Sequence, residues 1–497
     1  MTHRPDRATF EDLVARYPVV PVWREVLADA QTPVAAFMAL DPQPNGFLLE
    51  SVEGGERWGR FSFVGGDAFA VVKSFGRRIE IEGDLDLTPD EHEPPLAFVR
   101  RLLGSVHAPT VEGLPPFHGG AVGYIGYDAV RELEDLPNEP TDDLGLPDIA
   151  LLLTRSVVIF DRFAQKAYAV TNVWGPRDPR KAYDEALDRC DEVVEKLGRT
   201  FAAQAFEVDL DATPNSTTPV DDAEYEKWVA EAKEHIYAGD AFQIVPSRRF
   251  EAPLEGSAFS AYRVLRTLNP SPYMYFLRFG TDGHPALEIA GSSPEPLVKV
   301  NGDHVVTRPI AGTRPRGETE EEDRALESDL LTDEKEQAEH VMLVDLARND
   351  VGRVARYGSV KVEELLVVER YSHVMHLVSS VTGTLAEGKT AFDALTACFP
   401  AGTVSGAPKV RAMEIIDGLE KTKRGPYAGV VGYFDLSGNL DTCITIRTIV
   451  ATGGRAFVQA GAGVVADSVP AAEADETRRK AEALLRAVAA ANKLDVS

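Results

Sequence analysis

The sequence predicts a mixed fold of the α/β (α+β) class, and three of its features support this prediction. Residues 1–175 consist mainly of short runs rich in β-branched and aromatic residues, separated by Gly-Gly pairs and prolines, as is typical of strands and turns. From Asp221 onward, runs with helical spacing alternate with strand-like runs. Between them lies the linker-like run TPNSTTPV. We therefore predict a sheet-rich region over 1–200, a linker over 201–220 and a larger domain over 221–490.

Three strands and one long helix are predicted in the N-terminal region. The strands cover Asn45–Val52, Arg57–Val64 and Ala150–Ile159, where aliphatic and aromatic residues dominate. The helix covers Asp178–Leu197, because its apolar residues recur at a spacing near 3.6. This region is therefore expected to form mainly sheet, followed by one amphipathic helix.

The second half alternates between the two kinds of element, which favours helices packed in layers on a sheet. Five helices are predicted, at Asp222–Ala238, Ala258–Leu268, Asp333–Asn349, Ala407–Leu419 and Ala472–Ala490. Five strands are predicted, at Phe242–Arg248, Tyr273–Phe279, Val430–Phe434, Cys443–Val450 and Arg455–Ala460.

Composition and charge exclude several classes of protein. The chain has 497 residues, of which 44% are hydrophobic and 26% charged, and its 79 acidic and 52 basic residues give a formal net charge of −27. A surface this acidic repels nucleic acid and anionic lipid, so neither is an expected partner. An anionic substrate must therefore be bound by cations that are concentrated at one place.

Cysteine usage and hydropathy indicate the compartment. Cys190, Cys398 and Cys443 occur in unrelated contexts, so they form neither a disulfide framework nor a CxxC metal motif. No stretch approaches 18 consecutive apolar residues, and the N-terminus has no apolar signal core. We expect a cytoplasmic protein without a membrane-spanning segment.

Two of the predicted helices each carry a pair of glutamates on one face. Glu336 and Glu339 are three residues apart in the first helix, as are Glu473 and Glu476 in the second, where Lys480 follows one turn later. Such carboxylates suit a hard divalent cation such as Mg²⁺, whereas for either helix alone a solvated face is the alternative. Neither helix has the ExxH motif of a di-iron site.

Three glycine-containing runs have the composition of ligand-binding turns. Residues 459–466 (QAGAGVVA) follow an apolar strand, and their backbone amides can converge on an anion. This run matches the GxGxxA dinucleotide fingerprint only superficially, because no helix opens directly after it, so a carboxylate is the expected anion. Residues 309–317 (PIAGTRPRG) and 399–409 (FPAGTVSGAPK) are turns with arginines or hydroxyls, and neither has the spacing of a P-loop.

Taken together, these runs resemble the signature of the chorismate-utilising enzymes, in the order found in that family. The resemblance is dense over 221–485 and looser before it. It implies a large two-layered α/β chorismate-binding fold, in which the N-terminal sheet-rich region interleaves with the catalytic domain. The runs that carry it are PIAGTRPRG (309–317), EHVMLVDLARND (339–350), YSHVMH (371–376), FPAGTVSGAPK (399–409), RGPYAG (424–429), DTCITIRT (441–448) and QAGAGVVADS (459–468).

The resemblance implies a magnesium site and a substrate site. Glu339 and Glu476 correspond to direct Mg²⁺ ligands, with Glu336 and Glu473 as further carboxylates, and the ion would bridge to the ring carboxylate of chorismate. An arginine and a tyrosine of the set below would hold the enolpyruvyl carboxylate, since a guanidinium binds carboxylate bidentately. The implied substrate residues are Gly312, Thr313, Tyr427, Arg447, Gly461, Ala462, Gly463 and Lys480.

Four further residues are implied in catalysis. Glu295 resembles the acid that protonates the departing C4 hydroxyl. His376 resembles the histidine of the later pyruvate elimination, with a packed core histidine as the alternative reading. Thr403 stands where the family places a hydroxyl contact to the substrate, and Gln243 stands where isochorismate and salicylate synthases carry a water-activating lysine.

The missing lysines favour the anthranilate synthase branch of the family. Besides Gln243, Ala311 replaces the nucleophilic lysine of aminodeoxychorismate synthases. Ammonia needs neither lysine, so the expected reaction is a lyase step of tryptophan biosynthesis that yields anthranilate and pyruvate. Because the sequence shows no glutaminase triad, a glutamine amidotransferase subunit (component II) is the expected partner, in a heterotetramer. The alternatives are an aminodeoxyisochorismate synthase that stops before pyruvate elimination and an inactive tryptophan-binding regulator.

A second group of residues resembles the tryptophan feedback site of that branch. A glutamate and a serine would bind the amino-acid part of tryptophan, and the run NPSPYMYF (269–276) would contact the indole. The alternative is a buried strand followed by a proline-rich turn. The implied effector residues are Glu50, Ser51, Arg60, Pro272, Tyr273 and Met274.

Overall fold

In the described ranges, nineteen strands pair into one extended antiparallel system with helices packed on its outer faces, and two short strands, residues 243–244 and 406–407, form a separate two-stranded sheet. The computed structural model describes residues 3–41, 43–51, 59–175, 178–198, 207–281, 284–371 and 374–494. Helices and strands are mixed throughout these ranges, which confirms the predicted fold class. Every pairing between the named strands is antiparallel, so the arrangement is of the α+β kind.

The elements have the following bounds. The strands are β1 (Val19–Leu27), β2 (Gly46–Glu50), β3 (Phe61–Phe75), β4 (Arg78–Gly83), β5 (Gly120–Ile125), β6 (Ile149–Asp161), β7 (Lys166–Trp174), β8 (Gln243–Ile244), β9 (Ser247–Pro253), β10 (Tyr273–Thr281), β11 (His284–Ser293), β12 (Pro296–Asn301), β13 (His304–Thr307), β14 (Ile310–Pro315), β15 (Lys361–Arg370), β16 (Val374–Thr384), β17 (Gly406–Ala407), β18 (Val430–Asp435), β19 (Leu440–Ile444), β20 (Thr448–Thr452) and β21 (Arg455–Gly461). The helices are α1 (Arg7–Val14), α2 (Pro33–Leu40), α3 (Pro95–Ser105), α4 (Pro179–Gly198), α5 (Asp222–Tyr237), α6 (Ala258–Leu268), α7 (Glu320–Thr332), α8 (Glu334–Gly352), α9 (Ala391–Cys398), α10 (Gly402–Ser405), α11 (Lys409–Leu419) and α12 (Pro470–Leu494).

Two layers of sheet enclose an aromatic core. One layer runs β9-β21-β20-β11-β10-β2-β3, the other runs β16-β13-β12-β19-β18-β5-β6, and the pairing of β3 with β6 joins them. Side chains from both layers meet between them, and the ring centroids of Tyr124 on β5 and Phe279 on β10 lie 5.9 Å apart. Helices α2, α6 and α12 pack on the outside of the first layer, and α3, α8 and α9 on the outside of the second.

The N-terminal region is part of both layers. Strand β2 pairs with β10, and β5 pairs with β18, so strands from residues 1–200 and from residues 221–490 alternate within the same sheets. The described part of the predicted linker, residues 207–220, lies against this body: Ala212 is buried, and the Thr218 hydroxyl donates a hydrogen bond to the Arg249 carbonyl. None of the helices in the described ranges combines the length and the apolar character needed to cross a bilayer.

Most predicted elements appear within a few residues of their bounds, but two predicted strands are wrong as single strands. The run Phe242–Arg248 divides into β8 and β9, because Pro246 has no N–H to donate to a ladder. The run Cys443–Val450 is interrupted between β19 and β20, where Arg447 adopts a left-handed backbone with φ +51°. Both interruptions border the candidate active site described below.

Candidate active site

A cavity of about 800 Å³ lies between α8, α12, the turn after β11 and the glycine-rich run that ends β21. Of the sixteen residues predicted for catalysis, substrate and metal, all but Ala462 line it: Gln243, Glu295, Gly312, Thr313, Glu336, Glu339, His376, Thr403, Tyr427, Arg447, Gly461, Gly463, Glu473, Glu476 and Lys480. Residues that are far apart in sequence therefore share one concave, polar surface, as expected of a ligand site.

The two glutamate pairs face each other across this cavity. Glu336 and Glu339 extend from α8, and Glu473 and Glu476 extend from α12. Burial raises the pKa of both Glu339 and Glu473, and the nearby Glu476 carboxylate raises each of them further. This shared repulsion shows that the carboxylates are close enough to interact, and a divalent cation between them would relieve it.

Neighbouring side chains hold these carboxylates in place. The Gln243 amide nitrogen donates to Glu339 Oε1 at 2.9 Å, and Lys480 Nζ lies 2.6 Å from Glu476 Oε1. In the described ranges, no three His, Cys, Asp or Glu side chains converge closely enough to form a ready-made metal cluster. The donor set still fits Mg²⁺, which usually takes one or two protein carboxylates and keeps water or a ligand in its other positions.

Glu295 is a buried acid with one hydrogen-bond donor beside it. It follows β11, and its backbone is fixed because its carbonyl accepts a hydrogen bond from the Ile444 N–H at 3.0 Å. Its side chain is only 8% exposed, and burial raises its pKa to about 8, although the Thr403 hydroxyl donates to Oε1 at 3.0 Å. The carboxyl is therefore mostly protonated at neutral pH and can act as a general acid.

His376 on β16 lies in the cavity wall with an imidazole that favours the neutral form. Its Nδ1 lies 3.0 Å from the Gly312 carbonyl oxygen, and burial lowers the pKa of the imidazole. Since a carbonyl can only accept, Nδ1 is assigned the proton, and Nε2 keeps its lone pair. Gly312 has φ +66°, a backbone conformation that favours glycine, and it lies at an irregularity of β14 where its carbonyl contacts the ring.

Arg447 and Tyr427 both line the cavity, where Tyr427 is buried and Arg447 is half-buried. Burial lowers the pKa of the Arg447 guanidinium, and within the described part of the chain no acidic side chain forms an ion pair with it. Burial raises the pKa of Tyr427 to about 12, so the phenol stays protonated, and its oxygen accepts a hydrogen bond from the Gly461 N–H. A half-buried guanidinium on a strained backbone, without an ion pair to a described carboxylate, is suited to bind the carboxylate of a ligand.

Ala462 does not face the cavity, unlike the glycines on either side of it. It is fully buried, and its amide donates to the Pro246 carbonyl at 3.3 Å and to the Tyr225 hydroxyl at 3.2 Å. Because that N–H already has protein acceptors, it is not available to a ligand in this structure. The glycine-rich run therefore offers the cavity fewer free amides than the sequence suggested.

Sequence reasoning missed several residues that line the cavity, among them Lys335, Ser468 and Arg479. Lys335 is one residue before Glu336 and four before Glu339, a helical spacing that would have placed it beside the glutamates. It lies in the first turn of α8, which is fixed by the Asp333 side chain accepting hydrogen bonds from two backbone amides.

A second cavity, of about 310 Å³, is lined in part by β18 and β19. All six predicted effector residues line it: Glu50, Ser51, Arg60, Pro272, Tyr273 and Met274. Phe61, Phe63 and Tyr433 add aromatic surface to its wall. Residues 52–58, which lie between Ser51 and Arg60 in the sequence, are outside the described residues.

The acidic residue of this second cavity already has several partners. The Glu50 carboxylate accepts a hydrogen bond from the Tyr262 hydroxyl at 2.8 Å and forms ion pairs with Arg266 at 2.9 Å and Arg162 at 3.5 Å. Any ammonium group that bound there would share Glu50 with these two arginines. The sequence could not show this, because the three partners lie far from Glu50 along the chain.

Comparison with known proteins agrees with this geometry. A family model of chorismate binding enzymes matches residues 55–486. Anthranilate synthase component 1 of Acetivibrio thermocellus is 47% identical over 96% of this chain and 97% of its own length, and that of Pseudomonas putida is 49% identical over 96% of both. The crystal structure of anthranilate synthase component I from Streptococcus pneumoniae covers 93% of this chain and 99% of its own, with a TM-score of 0.76 and 38% identity. The chain therefore belongs to the chorismate binding enzymes, and within them to the family of anthranilate synthase component 1.

Proposed function

We propose that this chain is the chorismate-using component of an anthranilate synthase, converting chorismate and ammonia to anthranilate and pyruvate. One observation carries the proposal: a carboxylic acid that is protonated at neutral pH and a neutral imidazole lie in the same cavity. A raised pKa of the acid and a lowered pKa of the imidazole suit a reaction that needs a proton donor in one step and a base in another.

In the first step, ammonia attacks C2 of the chorismate ring as the C4 hydroxyl leaves. Glu295 donates its proton to the departing oxygen, so that water is released, and the new ammonium group at C2 loses one proton. General acid catalysis of this kind contributes about 10²–10⁴-fold. Burial supports the role, because it keeps Glu295 protonated at the pH where the reaction runs.

In the second step, the ring becomes aromatic and pyruvate leaves. His376 Nε2 accepts the proton from C2, the bond between C3 and the ether oxygen breaks, and the enolpyruvate that is released becomes pyruvate. The Gly312 carbonyl supports this role, because it holds the other ring nitrogen as a donor. Arg447 and Tyr427 would hold the enolpyruvyl carboxylate during both steps.

A magnesium ion is part of the same proposal. Glu339 and Glu476 would hold it, with Glu336 and Glu473 orienting its water ligands. When bound, it supplies positive charge to the ring carboxylate of the substrate. Charge supports the assignment: besides Glu295, the cavity wall has four carboxylates and four cationic side chains, so a divalent ion would match a dianionic substrate.

The composition of the cavity wall supports ammonia as the nucleophile and a separate subunit as its source. Gln243 donates to Glu339 and Ala311 carries no functional group, so the wall offers no lysine at either position to activate water or to attack the ring. Ammonia supplied by a separate glutamine amidotransferase subunit, in a heterotetramer, fits this wall. All three cysteines are free thiols, which accords with a reducing cytoplasm.

The second cavity is the proposed site for tryptophan as an inhibitor. The Ser51 side chain and the Glu50 carboxylate would bind the amino-acid part, and Pro272, Tyr273 and Met274 would contact the indole. Its lining combines polar groups with aromatic side chains, which supports an amino acid with a large side chain as the ligand.

The test is to assay the purified chain with chorismate, Mg²⁺ and ammonium chloride, and to follow anthranilate by its fluorescence. We expect turnover with ammonium and none with glutamine alone. Chromatography of the product separates the proposal from an aminodeoxyisochorismate synthase, which would accumulate the aminated intermediate. Unchanged chorismate under these conditions would reject the proposed function.

A further inference from the structure

Lys335 differs from the other cations of the active-site cavity. It lines the cavity and is also exposed to solvent, so it lies at the entrance. Lys480 is paired with Glu476 at 2.6 Å and Arg479 with Asp475 at 2.9 Å, whereas no described acidic side chain forms an ion pair with Lys335. Its charge is therefore not cancelled by a fixed neighbour.

Lys335 lies close to carboxylates that line the cavity. It directly precedes Glu336 and is one helical turn before Glu339 on α8, and it lines the same cavity as Glu473 of α12. Its ammonium group therefore adds positive charge at the exposed edge of a wall that is rich in carboxylates. Arg447, which likewise forms no ion pair with a described acidic side chain, lies half-buried in the same cavity.

The overall charge of the protein leaves the attraction of an anionic substrate to cations near the cavity. A formal net charge of −27 repels a dicarboxylate at long range, so the attraction that brings it into the cavity must be local. The same local charge would also oppose binding of a divalent cation between the glutamates.

We propose that Lys335 is a capture residue, which attracts a dianionic dicarboxylate into the cavity and in return weakens the binding of the divalent cation. This inference rests on the proposed function, since it takes chorismate as the dicarboxylate. It assigns Lys335 no part in bond making or breaking. Loss of its charge must therefore act in opposite directions on the two ligands, which general damage to the site would not do.

The experiment compares Lys335→Gln with the unaltered chain and with Lys361→Gln. Lys361 is an exposed lysine on β15 that does not line the cavity, so its substitution controls for the change in net charge. For a single charge about 8 Å from a divalent group, we expect kcat/KM for chorismate to fall about fourfold at about 0.01 M salt and about twofold at about 0.15 M, with kcat unchanged.

Binding of Mn²⁺ without chorismate, followed by electron paramagnetic resonance, gives the second readout. It should become about fourfold tighter in Lys335→Gln at low salt and stay unchanged in Lys361→Gln. A loss of kcat/KM that is independent of salt, or weaker binding of Mn²⁺ together with weaker use of chorismate, would overturn the inference. If the unaltered chain did not turn over chorismate at all, the proposed function would fail instead.

Discussion

Replacing Glu295 by glutamine is expected to inactivate the protein and also to stabilise it, by an amount that depends on pH. Glutamine has the shape of glutamate and its amide oxygen can accept the hydrogen bond from the Thr403 hydroxyl, but it cannot donate a labile proton to a leaving group. It also cannot ionise. The variant therefore avoids the cost of placing a carboxylate in the buried position of Glu295, which is 8% exposed.

The size of this effect follows from the raised pKa. Below the ordinary value of 4.5, Glu295 is protonated in both the folded and the unfolded chain, and ionisation does not affect stability. Between 4.5 and about 8, the unfolded chain releases the proton while the folded chain retains it, so rising pH favours unfolding. At about 1.4 kcal/mol per pH unit, the penalty is about 1 kcal/mol at pH 5, about 3 kcal/mol at pH 7 and about 4 kcal/mol at pH 8.

Urea unfolding of the two proteins, followed by circular dichroism at pH 5, 6, 7 and 8, measures this difference. Relative to the unaltered chain, the free energy of unfolding of Glu295→Gln should rise steadily from pH 5 to pH 8, on top of any offset that is the same at all pH values. In parallel, kcat of the unaltered chain should fall as pH rises through about 8, because the acid is then lost. A difference in stability that does not change with pH would refute the reasoning about Glu295.

Three further predictions concern single side chains. Thr403→Val removes the hydroxyl that stabilises the Glu295 carboxylate, so the alkaline limb of the kcat profile should move to higher pH; a shift to lower pH would contradict this. Glu339→Gln should lower kcat/KM for chorismate by roughly 10²–10³-fold and weaken Mn²⁺ binding measured by electron paramagnetic resonance, and near-normal values for both would remove the metal assignment. Ser51→Leu places a bulky side chain in the second cavity, so tryptophan should no longer inhibit while turnover stays near that of the unaltered chain; undiminished inhibition would exclude this cavity as the effector site.

Residue spacing along the chain predicted individual helices and their faces better than it predicted how those helices are arranged in space. Helical periodicity alone places Glu336 and Glu339 on one face of α8, and Glu473 and Glu476 on one face of α12. Nothing in either helix indicates that the two faces oppose each other, because their contact depends on how the sheet layers bring distant segments together. That step came from the order of the motifs, which resembles a known family.

Other features were beyond sequence reasoning because they depend on partners far away in the chain. The Glu50 carboxylate is bound by Tyr262 and Arg266, more than 200 residues later, so its ion pairs could not be read from its own strand. The amide of Ala462 is used by Tyr225, although the glycine pattern around it suggested a free donor. In both cases the sequence identified a group that binds a partner. It did not show which distant protein group is that partner.

The hairpin formed by β18 and β19 constrains how the second cavity can be tested. Tyr433 and Asp441 of this hairpin line the second cavity, whereas Tyr427 just before it and Arg447 just after it line the active-site cavity. The hairpin also fixes Glu295, through the Ile444 amide. Substitution of a hairpin residue would therefore disturb both cavities, and a loss of inhibition would not be separable from a loss of activity. Ser51 lies beyond the end of β2, outside this hairpin, so its replacement can test the effector site while the substrate residues keep their positions.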